Sequence, residues 1–308
     1  MRNARRLEDY ALFDEQAAKD FTFLVTPAWR ERIAKSRDPE ALVRQVLPVA
    51  DELESPDGFS RDPVAESRSE HPALIRKYTG RLLVMATWAC SAHCRFCFRR
   101  HVLNEPVGHA AVQNAFHAYM AQANDVSEVI LSGGDPLTLG DGRLAGWLES
   151  ITRYPQVRRI RIHTREPVFS PGRITPALCE ILEACPLPVA VVLHVNHADE
   201  LGDKARAAIT RLRKSGATLL MQSVLLRGVN DSVNTLADLF ERAADCGLVP
   251  YYLHQLDRVT GAAHFEVDRA RGLEIVRELR HRLPGYLVPR YVEEVPGEAS
   301  KRPVEDPC

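Results

Sequence analysis

From Arg81 onward, short apolar runs of strand length alternate with longer runs whose apolar residues recur every three or four positions. The strand candidates are Leu82–Trp88, Glu128–Leu131, Arg159–His163, Val189–His194, Thr218–Val224, Val249–His254 and Tyr286–Val292, whose aliphatic and β-branched content favours buried strands. Between them, Ala110–Gln122, Thr175–Ala184, Asp203–Lys214, Ser232–Ala244 and Asp268–Leu283 carry the helical period. Strand followed by helix, repeated six or seven times, predicts an α/β fold with a parallel sheet, a full or partial (β/α) barrel of TIM type. Ahead of Arg81 the texture differs. Helical pieces at Trp29–Ile33 and Pro39–Leu47 lie among acidic and Pro-containing stretches. The expected organisation is a helical appendage over 1–75, the barrel over 76–294 and a short tail over 295–308.

Composition narrows the class without changing the picture. The chain has 308 residues, 45% hydrophobic and 26% charged, enough for a real core and unlike a disordered or low-complexity chain. Forty Lys and Arg stand against 41 Asp and Glu, so no broad positive field exists for nucleic acid or anionic lipid, and neither is an expected direct partner. No run of 18 apolar residues occurs, and the basic start MRNARRLEDYALFDEQ lacks the apolar stretch of a secretion signal. A cytoplasmic location is the expectation.

A parallel barrel carries its active site at the carboxyl ends of its strands. After the first candidate strand come Cys90, Cys94 and Cys97; after the second, Ser132, Gly133, Gly134 and Asp135. The third delivers His163 and Arg165, and the fourth His194, Asn196 and His197. Gln222 lies in the fifth, Asp257 follows the sixth, and Glu294 and Lys301 follow the seventh. Seven cysteines is an odd number, which argues against a disulfide framework, and three of them fall within eight residues.

Cys90, Cys94 and Cys97 form a C-x3-C-x2-C spacing. Three thiolates can hold three irons of a [4Fe-4S] cluster and leave the fourth iron open to a small molecule, for which S-adenosylmethionine is the obvious occupant. The alternative is a structural zinc, with His101 four residues beyond Cys97 as a fourth ligand. A structural zinc usually supports a small module short of core, whereas this loop opens a large α/β unit. The Gly133-Gly134-Asp135-Pro136 turn lets backbone approach a ligand closely.

The cysteine triplet with Phe96 before its last member resembles the radical S-adenosylmethionine superfamily, whose fold is a full or partial (β/α) barrel. Further stretches resemble its lysine 2,3-aminomutase family: CRFCFRRH at Cys94, LSGGDPL at Leu131, RIHTREPV at Arg161, VNHADE at Val195, QSVLLRGVND at Gln222, YYLHQLD at Tyr251 and PGEASKRPV at Pro296. The likeness runs from about Pro72 to Val304, three quarters of the chain. The short chain and the run LHQLDRVTGAAHF at Leu253 are most similar to the branch that serves (R)-β-lysylation of elongation factor P. Catabolic members carry a cysteine-rich zinc extension beyond this point. Here the sequence ends seven residues after Lys301 with Cys308 alone, so no such zinc is expected.

The resemblance implies a conversion of free L-lysine to (R)-β-lysine by 1,2-amino migration through a 5'-deoxyadenosyl radical, with three cofactors: a [4Fe-4S] cluster, S-adenosylmethionine and pyridoxal 5'-phosphate. It places Phe96, Gly133, Gly134, Asp135, His194 and Gln222 around S-adenosylmethionine. It makes Lys301 the lysine that binds pyridoxal phosphate, with Lys77 and Tyr78 at the phosphate, where catabolic members carry Arg. It assigns Arg99 to the substrate carboxylate and Asp257 with Glu294 to its distal ammonium. His254 stands where catabolic members place a phenol, and Glu294 where they place Asp. Implied partners are a reductant such as a flavodoxin or ferredoxin, and a functional link to elongation factor P and its β-lysyl ligase; a homodimer is left open. Two other classes stay in view: a radical enzyme without pyridoxal phosphate, acting on RNA or a peptide, and a zinc-stapled binding module.

Overall fold

The computed structural model describes Leu7 and residues 11–305; Cys308 lies outside the described residues. One sheet of nine strands runs in sequence order: β1 (Leu74–Ile75), β2 (Arg81–Thr87), β3 (Glu128–Gly133), β4 (Arg159–Thr164), β5 (Val189–His194), β6 (Thr218–Val224), β7 (Val249–His254), β8 (Arg290–Glu293) and β9 (Arg302–Pro303). From β2 to β8 every pairing is parallel, while β1 and β9 add antiparallel edges. The sheet does not close, which makes it a partial TIM-type barrel.

Ten α-helices accompany the strands among the described residues. α1 (Glu15–Asp20), α2 (Pro27–Ala34) and α3 (Pro39–Arg44) precede the sheet. α4 (His109–Met120), α5 (Asp141–Thr152), α6 (Glu166–Phe169), α7 (Pro176–Glu183), α8 (Asp203–Lys214), α9 (Val233–Asp245) and α10 (Arg269–Arg282) lie on the crossovers. Thr26-Pro27, Asp38-Pro39 and Thr175-Pro176 start α2, α3 and α7: the first residue caps a free backbone N–H and the proline supplies a preset φ.

The differences from the sequence expectations have local causes. α5 is missing from the expected set although Leu144, Trp147, Leu148 and Ile151 make a buried stripe at helical spacing, because Gly142 and Gly146 dilute its propensity. The seventh strand begins at Arg290, and the segment Gly285–Leu287 before it forms a 3-10 turn after Pro284. β4 and β6 are not buried on both faces. Ile160 and Ile162, or Leu219 and Met221, pack outward against helices, whereas Arg161 and His163, or Gln222 and Val224, face inward onto open space. The interior of this open barrel is therefore a cavity instead of a packed core.

One hydrophobic cluster runs through the appendage and the barrel, from Trp29, Leu42 and Val46 to Leu131, Ile162 and Leu193. β1 lies ahead of residue 76 and hydrogen-bonds to β2, and β9 lies beyond residue 294 and hydrogen-bonds to β8. β1 and β9 are thus built into the wall of the cavity through Ile75 and Pro303.

Candidate active site

The cavity encloses about 600 Å³, and every residue assigned above to the cluster, the cofactors or the substrate lines it. Asn196 and His197 do not. Asn196 turns into a buried network with Gln45 and Glu200, and His197 accepts the N–H of Asp199. His101 also faces away from the cysteines, with its Nε2 3.3 Å from the Thr260 carbonyl oxygen.

At one end lies the loop that follows β2. Burial pushes all three thiols up, Cys97 to about 11, and the negative charge of neighbouring thiols adds to this at Cys90 and Cys97. At Cys94 the Arg165 guanidinium opposes the rise, donating from Nη1 to Sγ at 2.9 Å. Three ionised thiols here therefore need a metal centre as counter-charge. Among the described residues no three His, Cys, Asp or Glu side chains gather around one ion position.

The glycine turn after β3 is pressed onto this loop. Gly133 has φ +107°, and a Cβ there would stand 2.4 Å from the Thr87 carbonyl oxygen; one on Gly134 would stand 2.3 Å from that of Ala89. The N–H groups of Gly134 and Asp135 donate to those same oxygens, at 2.7 and 2.8 Å. The glycines are thus required first by the close fit of the turn against the cysteine loop. The Asp135 carboxylate accepts from Leu137 N–H, Thr164 Oγ1 and Arg165 N–H, so it braces the turn from behind.

Deeper in, burial makes the histidines neutral. His194 falls to about 3, lowered by desolvation and the Arg165 charge, and His163 and His254 lie well below their ordinary value. Because the Asn196 Oδ1 accepts the Val224 N–H, it also accepts from His194 Nε2 at 3.0 Å, which leaves His194 Nδ1 as an acceptor. Phe96 packs against His194, and Tyr251 donates to the Gln222 Oε1 at 3.4 Å. His163 Nε2 and Glu166 Oε1 sit on the wall, shielded from solvent and without a partner. Buried polar atoms of this kind are normally satisfied, so these two fit a bound group that supplies the missing contacts.

At the far end, the two edges of the open barrel meet. Strand tilt carries the foot of one edge alongside the top of the other. Lys77 and Tyr78, from the β1–β2 turn, contact the Glu294 Oε1 at 3.3 and 2.6 Å, and the Lys301 ammonium from the tail pairs with its Oε2. Burial raises the Glu294 acid, but the charges of Lys301 and Lys77 outweigh it and hold the carboxyl below its ordinary value. Asp257 nearby is raised to about 6, chiefly by burial. Lys301 is no exposed tail lysine: it lines the same cavity as the cysteines.

Arg99 also faces the cavity, and its fork is engaged by Glu66, a residue the sequence reading misses. Glu66 lies in a 3-10 turn with no periodicity to mark it. Glu166, likewise missed, had a better signal, its place just beyond the third strand, and burial beside Asp135 raises it to about 7.

No protein-family model matches the chain. Curated relatives do. The chain is 42% identical over 299 residues to the L-lysine 2,3-aminomutase of Escherichia coli (strain K12), covering 97% of this chain and 87% of that one. It is 39% identical to the L-lysine 2,3-aminomutase of Buchnera aphidicola, covering 93% and 85%, and 38% identical to that of Haemophilus influenzae, covering 92% and 85%. Among solved structures, Streptococcus suis SuiB bound to S-adenosylmethionine superposes with a TM-score of 0.52 at 16% identity, over 71% of this chain and 51% of that one; this likeness concerns the fold.

Proposed function

The chain belongs to the lysine 2,3-aminomutase family of isomerases, and from that premise we propose that it converts free L-lysine to (R)-β-lysine with a [4Fe-4S] cluster, S-adenosylmethionine and pyridoxal 5'-phosphate. The observation that carries the reading is that one cavity holds the three cysteines at one end and the Lys301 amine at the other, with two acids beside that amine. When bound, the cluster and S-adenosylmethionine supply a carbon radical, and pyridoxal phosphate supplies a π system across which the amine moves.

The chain's own part is placement and charge. Cys90, Cys94 and Cys97 hold the cluster, while Phe96, Gly133, Gly134, His194 and Gln222 form the wall for S-adenosylmethionine, with Asp135 bracing the turn. Lys301 offers the amine that holds pyridoxal phosphate, and Lys77 with Tyr78 faces its phosphate. With Lys77 turned to the phosphate, Glu294 would exchange that pairing and, with Asp257, face the substrate's distal ammonium. Arg99 faces the substrate carboxylate. The neutral histidines line the cavity without adding charge, and the enclosed volume keeps water from the radical.

We assign the product to modification of elongation factor P, on the likeness of the Leu253 run to the branch that serves it, and the electron donor to a small carrier such as a flavodoxin or ferredoxin. No helix among the described residues is long and apolar enough to cross a membrane.

The test is anaerobic incubation of reconstituted, reduced protein with S-adenosylmethionine and labelled L-lysine. The expected result is labelled β-lysine that the β-lysyl ligase then transfers to elongation factor P. Unchanged lysine in the presence of a reduced cluster and cleaved S-adenosylmethionine would overturn the reading. Absence of a pyridoxal absorption band would favour a radical enzyme without that cofactor.

A further inference from the structure

Arg99 meets two groups of its own chain before any substrate arrives. Its Nε–H and one Nη2–H donate to the two carboxylate oxygens of Glu66, each at 2.7 Å, and Nη1 donates to Ser132 Oγ at 3.0 Å. A guanidinium has five N–H groups. What remains is one Nη2–H and one Nη1–H, the latter with only a long 3.5 Å approach to the Gly133 carbonyl oxygen, and these two donors suffice for a second carboxylate.

Glu66 is delivered to this place by a constrained loop. Ala65, just before it, has φ +54° and is the only non-glycine residue with a left-handed backbone among the described residues. The Asp62 carboxylate accepts the N–H groups of Glu66 and Ser67 at 2.9 and 2.8 Å, fixing the turn. On its other side the Glu66 Oε1 stands 3.8 Å from the Lys77 ammonium. One carboxylate therefore sits between the cation assigned to the substrate carboxylate and the cation assigned to the cofactor phosphate. Without it, only the Ser132 hydroxyl would hold the guanidinium, and the Arg99 and Lys77 charges would lose the carboxylate between them.

We propose that Glu66 is a positioning residue that locks the side edge of the Arg99 guanidinium, so that its remaining donors face the substrate carboxylate and the site selects amines that carry one. This rests on the lysine reading given above. It adds a specificity element drawn from the segment ahead of the barrel.

The test compares two amines that both perturb the bound pyridoxal absorbance, L-lysine and 1,5-diaminopentane, which lacks the carboxylate. Dissociation constants are read from that absorbance in the holoprotein, without turnover. In Glu66→Gln the lysine constant should rise at least about tenfold while that for the diamine stays within about twofold. Glu66→Asp keeps the charge that neutralises buried Arg99 but withdraws the carboxylate, and should weaken lysine about three- to fivefold with the diamine unchanged. If Glu66→Gln does not fold, Glu66→Asp decides by the same criterion. Equal weakening of both amines, or of neither, overturns the assignment. Wild-type protein that binds no lysine overturns both it and the function it rests on, whereas tight lysine binding by wild type and variants alike overturns only the role of Glu66.

Discussion

Glu52 and Glu66 lie fourteen residues apart in the segment ahead of the barrel, and both receive arginine forks from the stretch Arg95–Arg100 of the cysteine loop. Their surroundings set them to different work. Glu52 takes Arg95 through Nε at 2.8 Å and Nη2 at 2.7 Å, and Arg100 through Nη2 at 2.6 Å. Arg95 spends further donors on the carbonyls of Phe21 and Ala17, and Arg100 on those of Arg95 and Gly261. The Arg95 side chain has no exposure and that of Glu52 has 1%. This node is sealed and ties α1 to the cysteine loop. The Glu66 node opens on the cavity, and its charges alternate from Arg99 through Glu66, Lys77 and Glu294 to Lys301. A buried ion cluster packed into protein on every side holds structure together, even though the Arg100 Nε there has no partner; one with donors left over along the wall of a cavity is ready for a ligand.

The largest expected effect tests the open node. Lys301→Met should abolish borohydride-reducible labelling by pyridoxal phosphate and reduce lysine turnover by at least about a thousandfold, while denaturation of the ligand-free protein is nearly unchanged. A label found on another lysine would break the contrast at its functional end. Cys94→Ala belongs with it: the protein should lose its brown colour, its iron and all turnover, and a colourless, fully active form would refute the cluster.

The sealed node comes next. Glu52→Gln leaves two buried guanidinium groups short of a counter-charge and should destabilise the fold by about 3–5 kcal/mol in chemical denaturation. Stability equal to wild type would show that this cluster does no more for the fold than an exposed pair.

A smaller effect follows from acidity. Asp257 is raised from 3.8 to about 6 by burial, with the Lys301 ammonium opposing, the Glu294 carboxylate adding, and Lys77 and Glu66 acting more weakly in opposite senses. As pH falls through about 6 the carboxylate is lost, so lysine affinity should fall about tenfold per unit once Asp257 is the proton acceptor. Lysine binding near pH 6 should also release a proton, which calorimetry in buffers of different ionisation heat would detect. The ligand-free protein responds in the other direction: an acid raised in the folded state contributes stability below about 4 that is lost as pH rises through 6. In Asp257→Asn both dependences should disappear.

The smallest effect is a control. Arg153 and Glu149 pair across one turn of α5 with side chains 60% and 70% exposed, so Arg153→Ala should change stability by about 0.5 kcal/mol or less.

Much of this was legible in the chain. The strands could be read because aliphatic runs bounded by polar residues have few other uses, and six of the seven expected ones coincide with β2 to β7 to within two residues. The short edges β1 and β9 could not, since two residues carry no period. The residues placed on the cavity by motif do line it, most of them because they lie within or just beyond the carboxyl half of a strand and a barrel turns those ends to one side, whereas Lys77 and Tyr78 reach it from the β1–β2 turn. Asn196 and His197 also follow a strand but point elsewhere, and nothing in a strand-end position says which way a side chain turns.

The sequence by itself determined the order of strand and helix, the cysteine spacing and the presence of a lysine near the end, since periodicity and spacing are local properties. Only the tertiary structure decided that the barrel stays open, that its two edges meet at Glu294, and that Glu66 reaches Arg99 across 33 residues. These are contacts between segments distant in the chain, set by strand tilt, stagger and one left-handed residue at Ala65, and no local pattern encodes them.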